Sequence, residues 1–332
     1  LLKPRKKHLE FLLKLLITLL LAWAIYRQVF AREHAAVLWA ALHLNFSFPG
    51  LWWFIAAALL VPLNVAFEAL KWGKLIQNFA GLSFLKTFKA ILAGTTIAIF
   101  TPNRVGEYGG RVLFVEPEHN WKAVIATVVG SLSQLLVLLT IGLIGAAYFL
   151  KNYEFEPYLL ASALSLGAIL TALLFFCFFN IDLIIPVAKR IPFVNRFKKY
   201  LQHLSVLKNY RTGELGVALA YSLLRYLTYS GQYLFLLHFY GINPPWLDGL
   251  AGIATIFLVQ ASIPLPPLMG LLARGELALL IWGHFSDDQT GILASTFTLF
   301  VINIAIPALL GFVFIVKSNI LKSLGLENDN NS

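Results

Sequence analysis

The chain has 332 residues, 59% of them hydrophobic and only 13% charged, with a formal net charge of +10. Soluble domains carry about 25% charged residues, so the composition excludes a soluble globular domain and points to a polytopic membrane protein. The positive excess fits cytoplasmic loops and contact with anionic lipid heads, not a nucleic acid partner, and one cysteine, Cys177, excludes an internal disulfide.

Apolar runs of about 20 residues, enough to cross a bilayer as a helix, recur along the chain. A basic start with Lys3, Arg5, Lys6, Lys7 and Lys14 leads into a first span over 9–29. No small-residue cleavage site follows, so this reads as a retained helix and not as a signal peptide. A short amphipathic piece over 33–44 precedes a second span over 51–70, whose end carries Asn64, Glu68 and Lys71 in one stripe. Glu68 and Lys71 read there as an interfacial ion pair. After Lys74, Lys86 and Lys89 comes a first broken segment over 88–114, then a third span over 121–150. Glu154 and Glu156 mark a loop before the fourth span, 158–179, and a basic stretch over 189–211 leads to the fifth, 213–240. A second broken segment covers 246–284. Beyond Asp287 and Asp288 lie a last span over 290–316 and a polar tail over 321–332.

The two broken segments are the informative ones. Thr101-Pro102-Asn103-Arg104-Val105-Gly106-Glu107-Tyr108-Gly109-Gly110-Arg111 follows an apolar run directly. Proline cannot continue the helix, and each charge at membrane depth costs about 2.5–3.5 kcal/mol on insertion scales. Such charges are expected to face protein or a watery cavity. Pro264-Leu265-Pro266-Pro267-Leu268-Met269-Gly270 followed by Arg274 and Glu276 has the same grammar. Two interrupted, charged membrane segments are the mark of a transporter.

Loop charges predict the topology. The basic N-terminus, the 71–89 and 189–211 stretches and Lys317 belong on the cytoplasmic side, and the loops at Glu154/Glu156 and Asp287/Asp288 outside. That alternation works if both broken segments are re-entrant hairpins. The expected fold is all-α: one transmembrane domain of about six full spans plus two oppositely oriented re-entrant hairpins. Its halves, roughly 1–150 and 151–320, form an inverted repeat whose hairpin tips meet near the midplane.

Pro102-Asn103-Arg104-Val105-Gly106-Glu107, with Arg111 shortly after, resembles the P-x-R-x-G-E…R signature of the lysylphosphatidylglycerol synthase transmembrane (flippase-domain) family. Pro264, Pro266, Gly270 and Glu276 resemble that family's second signature, a Pro/Gly-rich turn followed by a glutamate. Here Pro267-Leu268-Met269 stands where paired glycines are usual, and the spacing to Glu276 is longer. The resemblance implies a stand-alone member without the aminoacyl-transferase domain, in a bacterial inner membrane, that translocates a lipid.

Each polar residue has a functional and a plain reading. Arg104, Arg111 and mid-span Arg225 are candidates to hold an anionic head group, because guanidinium stays charged and forks onto phosphate oxygens. The plain reading of Arg104 and Arg111 is snorkelling to the interface. Glu107 and Glu276 are candidate gating carboxylates, acting by protonation or by pairing with arginines such as Arg274 across the midplane. Gly106, Gly109 and Gly110 either expose backbone N–H groups to phosphate or pack the hairpin arms closely. Tyr221, Tyr229 and Gln232 share a helix face with Arg225. Ser131, Gln134, Gln260 and Asn303 read as helix–helix hydrogen bonds. No P-loop, GxSxG or Cys/His metal pattern occurs, so no catalytic residue, metal or cofactor is expected. The expected partners are anionic membrane lipids (a phospholipid, an aminoacylated lipid or a polyprenyl-phosphate carrier) and a separate lipid-modifying enzyme. Two other readings stay open: an intramembrane enzyme acting on lipid heads, and a non-transporting scaffold for such an enzyme.

The topology has a direct test. In a Cys177→Ala background, Phe155→Cys and Asp287→Cys should both react with an impermeant thiol reagent from the outer face. Labelling of position 155 from the cytoplasm alone would break the two-hairpin arrangement.

Overall fold

Apolar stretches that leave water must satisfy their own backbone groups, and helices do so within one segment. The computed structural model describes residues 48–151, 157–183, 202–262, 270–318 and 320–323, with isolated positions elsewhere. The described regular structure is all helical. The expected first span over 9–29 lies outside these residues apart from isolated positions. The piece over 33–44, most of the 189–211 stretch, Pro264, Pro266 and most of the polar tail also lie outside them.

Helix α1 is Phe48–Ile76, and a first interrupted pair follows, α2 (Phe84–Ala98) and the short α3 (Gly106–Val112). Helix α4 is Asn120–Lys151, α5 is Pro157–Phe179 and α6 is Thr212–Phe239. A second interrupted pair is α7 (Trp246–Ala261) and α8 (Gly270–Trp282). Helix α9 (Gln289–Phe300) runs through a π turn at Val301–Ala305 into α10 (Ile306–Lys317). Among the described residues, four helical stretches are long and apolar enough to cross a membrane: Gly50–Ile76, Pro117–Lys151, Leu160–Phe179 and Gln289–Lys317. Helix α6 has 28 residues and spans about 42 Å at 1.5 Å per residue.

Long and short elements pack reciprocally. Helix α1 lies along α6, the most extensive helix contact among the described residues. The first interrupted pair places α2 on α10, and the second places α7 on α4. Lipid tails are as apolar as the helix surfaces, so close backbone approach holds these crossings, and it needs small residues. At the α2–α10 crossing a Cβ on Gly311 would collide with the Leu92 carbonyl, and Thr96 Oγ1 donates to the Ala308 carbonyl at 2.7 Å. At the α4–α7 crossing Gly145 sits against Ala251 and Ala254.

The expected second span, 51–70, runs further, to Ile76. Neighbouring helices bury its last turns: Lys71 and Trp72 are almost inaccessible, and Trp72 Nε1 donates to Thr127 Oγ1 at 2.9 Å. The expected interfacial pair Glu68–Lys71 is therefore an interior pair, since α4 and α6 cover the face it lies on. The last span has a local cause for its π turn. Pro307 has no N–H to give, and just ahead of it Ile306 N–H reaches back to the Val301 carbonyl, five residues away.

Glycines close the first interrupted pair. A Cβ on Gly110 would lie 2.5 Å from Gly94 Cα, and one on Gly106 2.5 Å from the Ile97 carbonyl oxygen, whereas Gly109 faces open space. Gly110→Val is expected to destabilise the protein by about 1–3 kcal/mol through overpacking, and Gly109→Ala to leave it near wild type. Thermal unfolding of the two variants in one detergent checks this, and a small loss for Gly110→Val would mean that the arms do not meet there.

Candidate functional site

The tip joining α2 to α3 is strained. Asn103 and Arg104 both have left-handed backbone, φ 49° and 58°. That conformation costs an L-residue other than glycine about 1–2 kcal/mol, with asparagine tolerating it best. Thr101 holds the turn: its carbonyl accepts from Arg104 N–H at 3.2 Å, and its hydroxyl accepts from Gly106 N–H at 2.8 Å. Strain of this kind persists where surrounding contacts over-determine it. Here it turns the Arg104 guanidinium back onto the Glu107 carboxylate.

From that pair a continuous charge network runs across the molecule. Arg111, one turn along from Glu107, donates to its Oε2 at 2.7 Å and to Glu68 Oε1 at 2.9 Å. Glu68 Oε2 also accepts from Arg225 Nη1 at 2.7 Å and pairs with Lys71 Nζ at 2.8 Å. Arg225 Nε donates to Asn64 Oδ1 at 2.8 Å, and Asn64 Nδ2 to Asn303 Oδ1 in the π turn at 3.2 Å. Lys71 Nζ further donates to the Gly130 carbonyl at 3.1 Å and to Ser222 Oγ at 3.4 Å. One network thus ties together α1, the first tip, α3, α4, α6 and the π turn.

The network borders a cavity of about 550 Å³, within the range of about 300–1,000 Å³ that small ligands occupy. Four cations line it, Lys71, Arg104, Arg225 and Arg274, together with Glu68 and Glu107. Asn64, Asn103, Ser131, Gln134, Gln260 and Asn303 add neutral polar groups, and Tyr226, Tyr229 and Phe257 an aromatic wall. Side-chain accessibility separates the arginines: 37% for Arg104 and 23% for Arg225, against 3% for Arg111. Arg111 is a clamp behind the wall, packed 5.7 Å from the Trp72 ring. Its only hydrogen-bonded partners among the described residues are the two carboxylates, Glu68 and Glu107.

The structure brings together Arg104, Glu107, Arg225, Gly270 and Arg274 in the lining of one cavity. Others are placed elsewhere. Glu276 is exposed and is not part of the cavity lining. The expected pairing of Glu107 with Arg274 is replaced by Arg104, three residues back in the tip, and Arg111, four residues on in α3. Local spacing wins because i,i+3 and i,i+4 partners need no second segment to arrive. Gly106 and Gly110 serve arm packing, and Pro102 and Gly109 are exposed. Asn303 makes the expected interhelical bond and also lines the cavity. Glu68 is the residue that sequence reasoning placed wrongly. The available signal was its spacing, since Asn64, Glu68 and Lys71 follow one face of a helix that is otherwise apolar.

A buried charge network around a cavity, in a bundle with membrane-length helices, is the architecture of a multi-pass membrane protein with a polar interior site. The chain belongs to the lysylphosphatidylglycerol synthase TM region family, whose sequence model matches residues 11–314. That match is to the membrane part of the synthase, and with the membrane-length helices it supports a lipid-translocating membrane protein. No curated protein and no solved structure matches it significantly.

Removing one partner of a buried ion cluster costs about 3–5 kcal/mol, because the others stay buried and uncompensated. Glu68→Gln leaves Lys71 and Arg225 without their carboxylate. It is expected to lower the unfolding temperature and transport together, while Glu276→Gln stays near wild type in both. Equal stability of the two variants would remove Glu68 from the centre of the network.

Proposed function

We propose that the protein moves an anionic lipid across the inner membrane, with the head group seated in the cationic cavity and the acyl or isoprenoid chains left at the bilayer. The carrying observation is the cavity itself, whose described lining includes four cations within a bundle of apolar helices. Uncompensated cations there are costly in a low-dielectric setting, and an anionic head group offsets that cost. Arg104 and Arg225 are the head-group contacts of this reading, because both are accessible from the cavity and both present guanidinium forks. Lys71 is held by Glu68, Gly130 and Ser222 and contributes charge more than contact.

The reciprocal packing of α2 on α10 and of α7 on α4 supports an inverted repeat, in which each interrupted pair leans on the last span of the other half. Under that arrangement α1 and α6 form the central pair, both termini are cytoplasmic, and the first tip enters from the cytoplasmic side. Glu107 then acts as the gate. It holds Arg104 in the empty site, and an anionic head competes for the same guanidinium. Both carboxylates of the cavity already carry arginine partners, which leaves neither free to act as a general base and weighs against head-group chemistry in the cavity. A separate lipid-modifying enzyme would supply or use the translocated lipid.

Arg104→Ala should reduce translocation of a fluorescent anionic lipid in proteoliposomes by at least about tenfold, a loss equivalent to about 1.4 kcal/mol. The exposed loop variant Lys208→Ala should change it little, because its charge is screened by salt. Equal effects would mean bulk surface electrostatics instead of a site. Full translocation by Arg104→Ala would remove Arg104 from the site, and no translocation by the wild-type protein would favour the scaffold reading.

A further inference from the structure

Charge bookkeeping around the cavity reaches beyond the sign of the ligand. Lys71, Arg104, Arg111, Arg225 and Arg274 face two carboxylates, Glu68 and Glu107, an excess of three positive charges among the described residues. Residues 263–269, between α7 and α8, do not change this count, because they contain no ionisable side chain. The excess is not spread evenly. Glu68 is shared by Lys71, Arg111 and Arg225, and Glu107 by Arg104 and Arg111. Arg274, on the first turns of α8, makes no ion pair or hydrogen bond among the described residues, although it lines the cavity. Arg104 Nε is a second vacant donor, buried without an acceptor.

We infer that the cavity selects a lipid head bearing a terminal phosphate with at least two negative charges, a phosphomonoester or diphosphate, over a singly charged phosphodiester. This rests on the translocation reading above and narrows its substrate class. Two features of the site carry it. The first is charge: a phosphodiester compensates one of the three excess cations, whereas a phosphomonoester carries about 1.5–2 negative charges near neutral pH and a diphosphate more. The second is the number of acceptors. Arg104 and Arg274 stand on the two interrupted segments and face one cavity, and each guanidinium fork can take two oxygens. A terminal phosphate presents three unesterified oxygens, so two forks can engage it while sharing one oxygen. A phosphodiester presents two such oxygens and satisfies one fork. Bridging the two segments through one phosphate would also draw Arg104 away from Glu107, coupling occupancy to release of the first tip.

The test uses the full chain in phosphatidylcholine vesicles at about pH 8, where a phosphomonoester is close to doubly charged. Fluorescent phosphatidic acid and phosphatidylglycerol with identical acyl chains are compared for binding and for translocation, with inorganic phosphate as a soluble competitor. The expected result is a preference for phosphatidic acid on the order of tenfold, with inorganic phosphate competing poorly. Arg274→Gln should lower phosphatidic acid affinity more than phosphatidylglycerol affinity, and Arg274→Lys should restore part of the difference. If Arg274→Gln does not fold, the wild-type ratio decides alone. Equal or better handling of phosphatidylglycerol overturns the phosphate class and leaves lipid translocation standing. Inorganic phosphate displacing phosphatidic acid at equal concentration overturns the lipid source. Neither lipid binding nor moving faster than in protein-free vesicles overturns both the class and the translocation reading.

Discussion

The arrangement of this molecule depends on one carboxylate. Glu68 lies almost inaccessible on α1 and is engaged by Lys71, Arg111 and Arg225. None of these cations could be buried there alone, because the penalty for removing an ion from water exceeds what packing returns. Glu68 makes three such burials tolerable, and each cation brings a different element with it. Arg111 fixes α3, Arg225 fixes α6, and Lys71 reaches the α4 backbone at Gly130. The same carboxylate leaves the site cationic, since it cannot neutralise three partners. The tie between the helices and the cationic character of the cavity thus come from one imbalance.

The first tip adds a second constraint. Its backbone passes through two left-handed residues at Asn103 and Arg104, and the strain is held in place by Thr101 below and Glu107 beside it. An arginine held in this way is positioned before any ligand arrives, which reduces the ordering that binding must impose. It is also held by a replaceable partner. A head-group oxyanion and the Glu107 carboxylate offer the guanidinium similar acceptors, so exchange between them needs little energy. Arg111 is different: with both flanking carboxylates satisfied by it, it has no reason to leave. Of the three arginines tied into the network, one is a fixture and two face the cavity.

The π turn at Val301–Ala305 places a third element at the same wall. Pro307 interrupts the helix ladder, and Asn303 in the widened turn reaches Asn64. Such turns often sit at functional positions because they re-aim one side chain without ending the helix. Here the result links the last span to Arg225 through Asn64, and α10 in turn packs closely on α2 where Gly311 meets Leu92.

Much of this protein was legible without coordinates. Hydropathy length located the helices at 120–151, 157–179, 212–239 and 289–317 within a residue or so, because an apolar run that must satisfy its own backbone has no alternative to a helix. Pro102, Gly106 and Gly110 located the interruption between α2 and α3, because proline and close-packed glycine are local properties of the chain. The partners of the charges were not legible. Spacing identified Arg111 and Glu107 as neighbours, but nothing local says that Glu68, 43 residues earlier, meets Arg111, or that Arg225, 157 residues later, meets Glu68. Nor does it say that Glu276 stays outside the cavity while Arg274, two residues away, lines it. A local pattern sets which residues share a helix face. Which face meets which neighbour is decided when the helices pack, and that decision made an apparent interfacial ion pair the centre of the site.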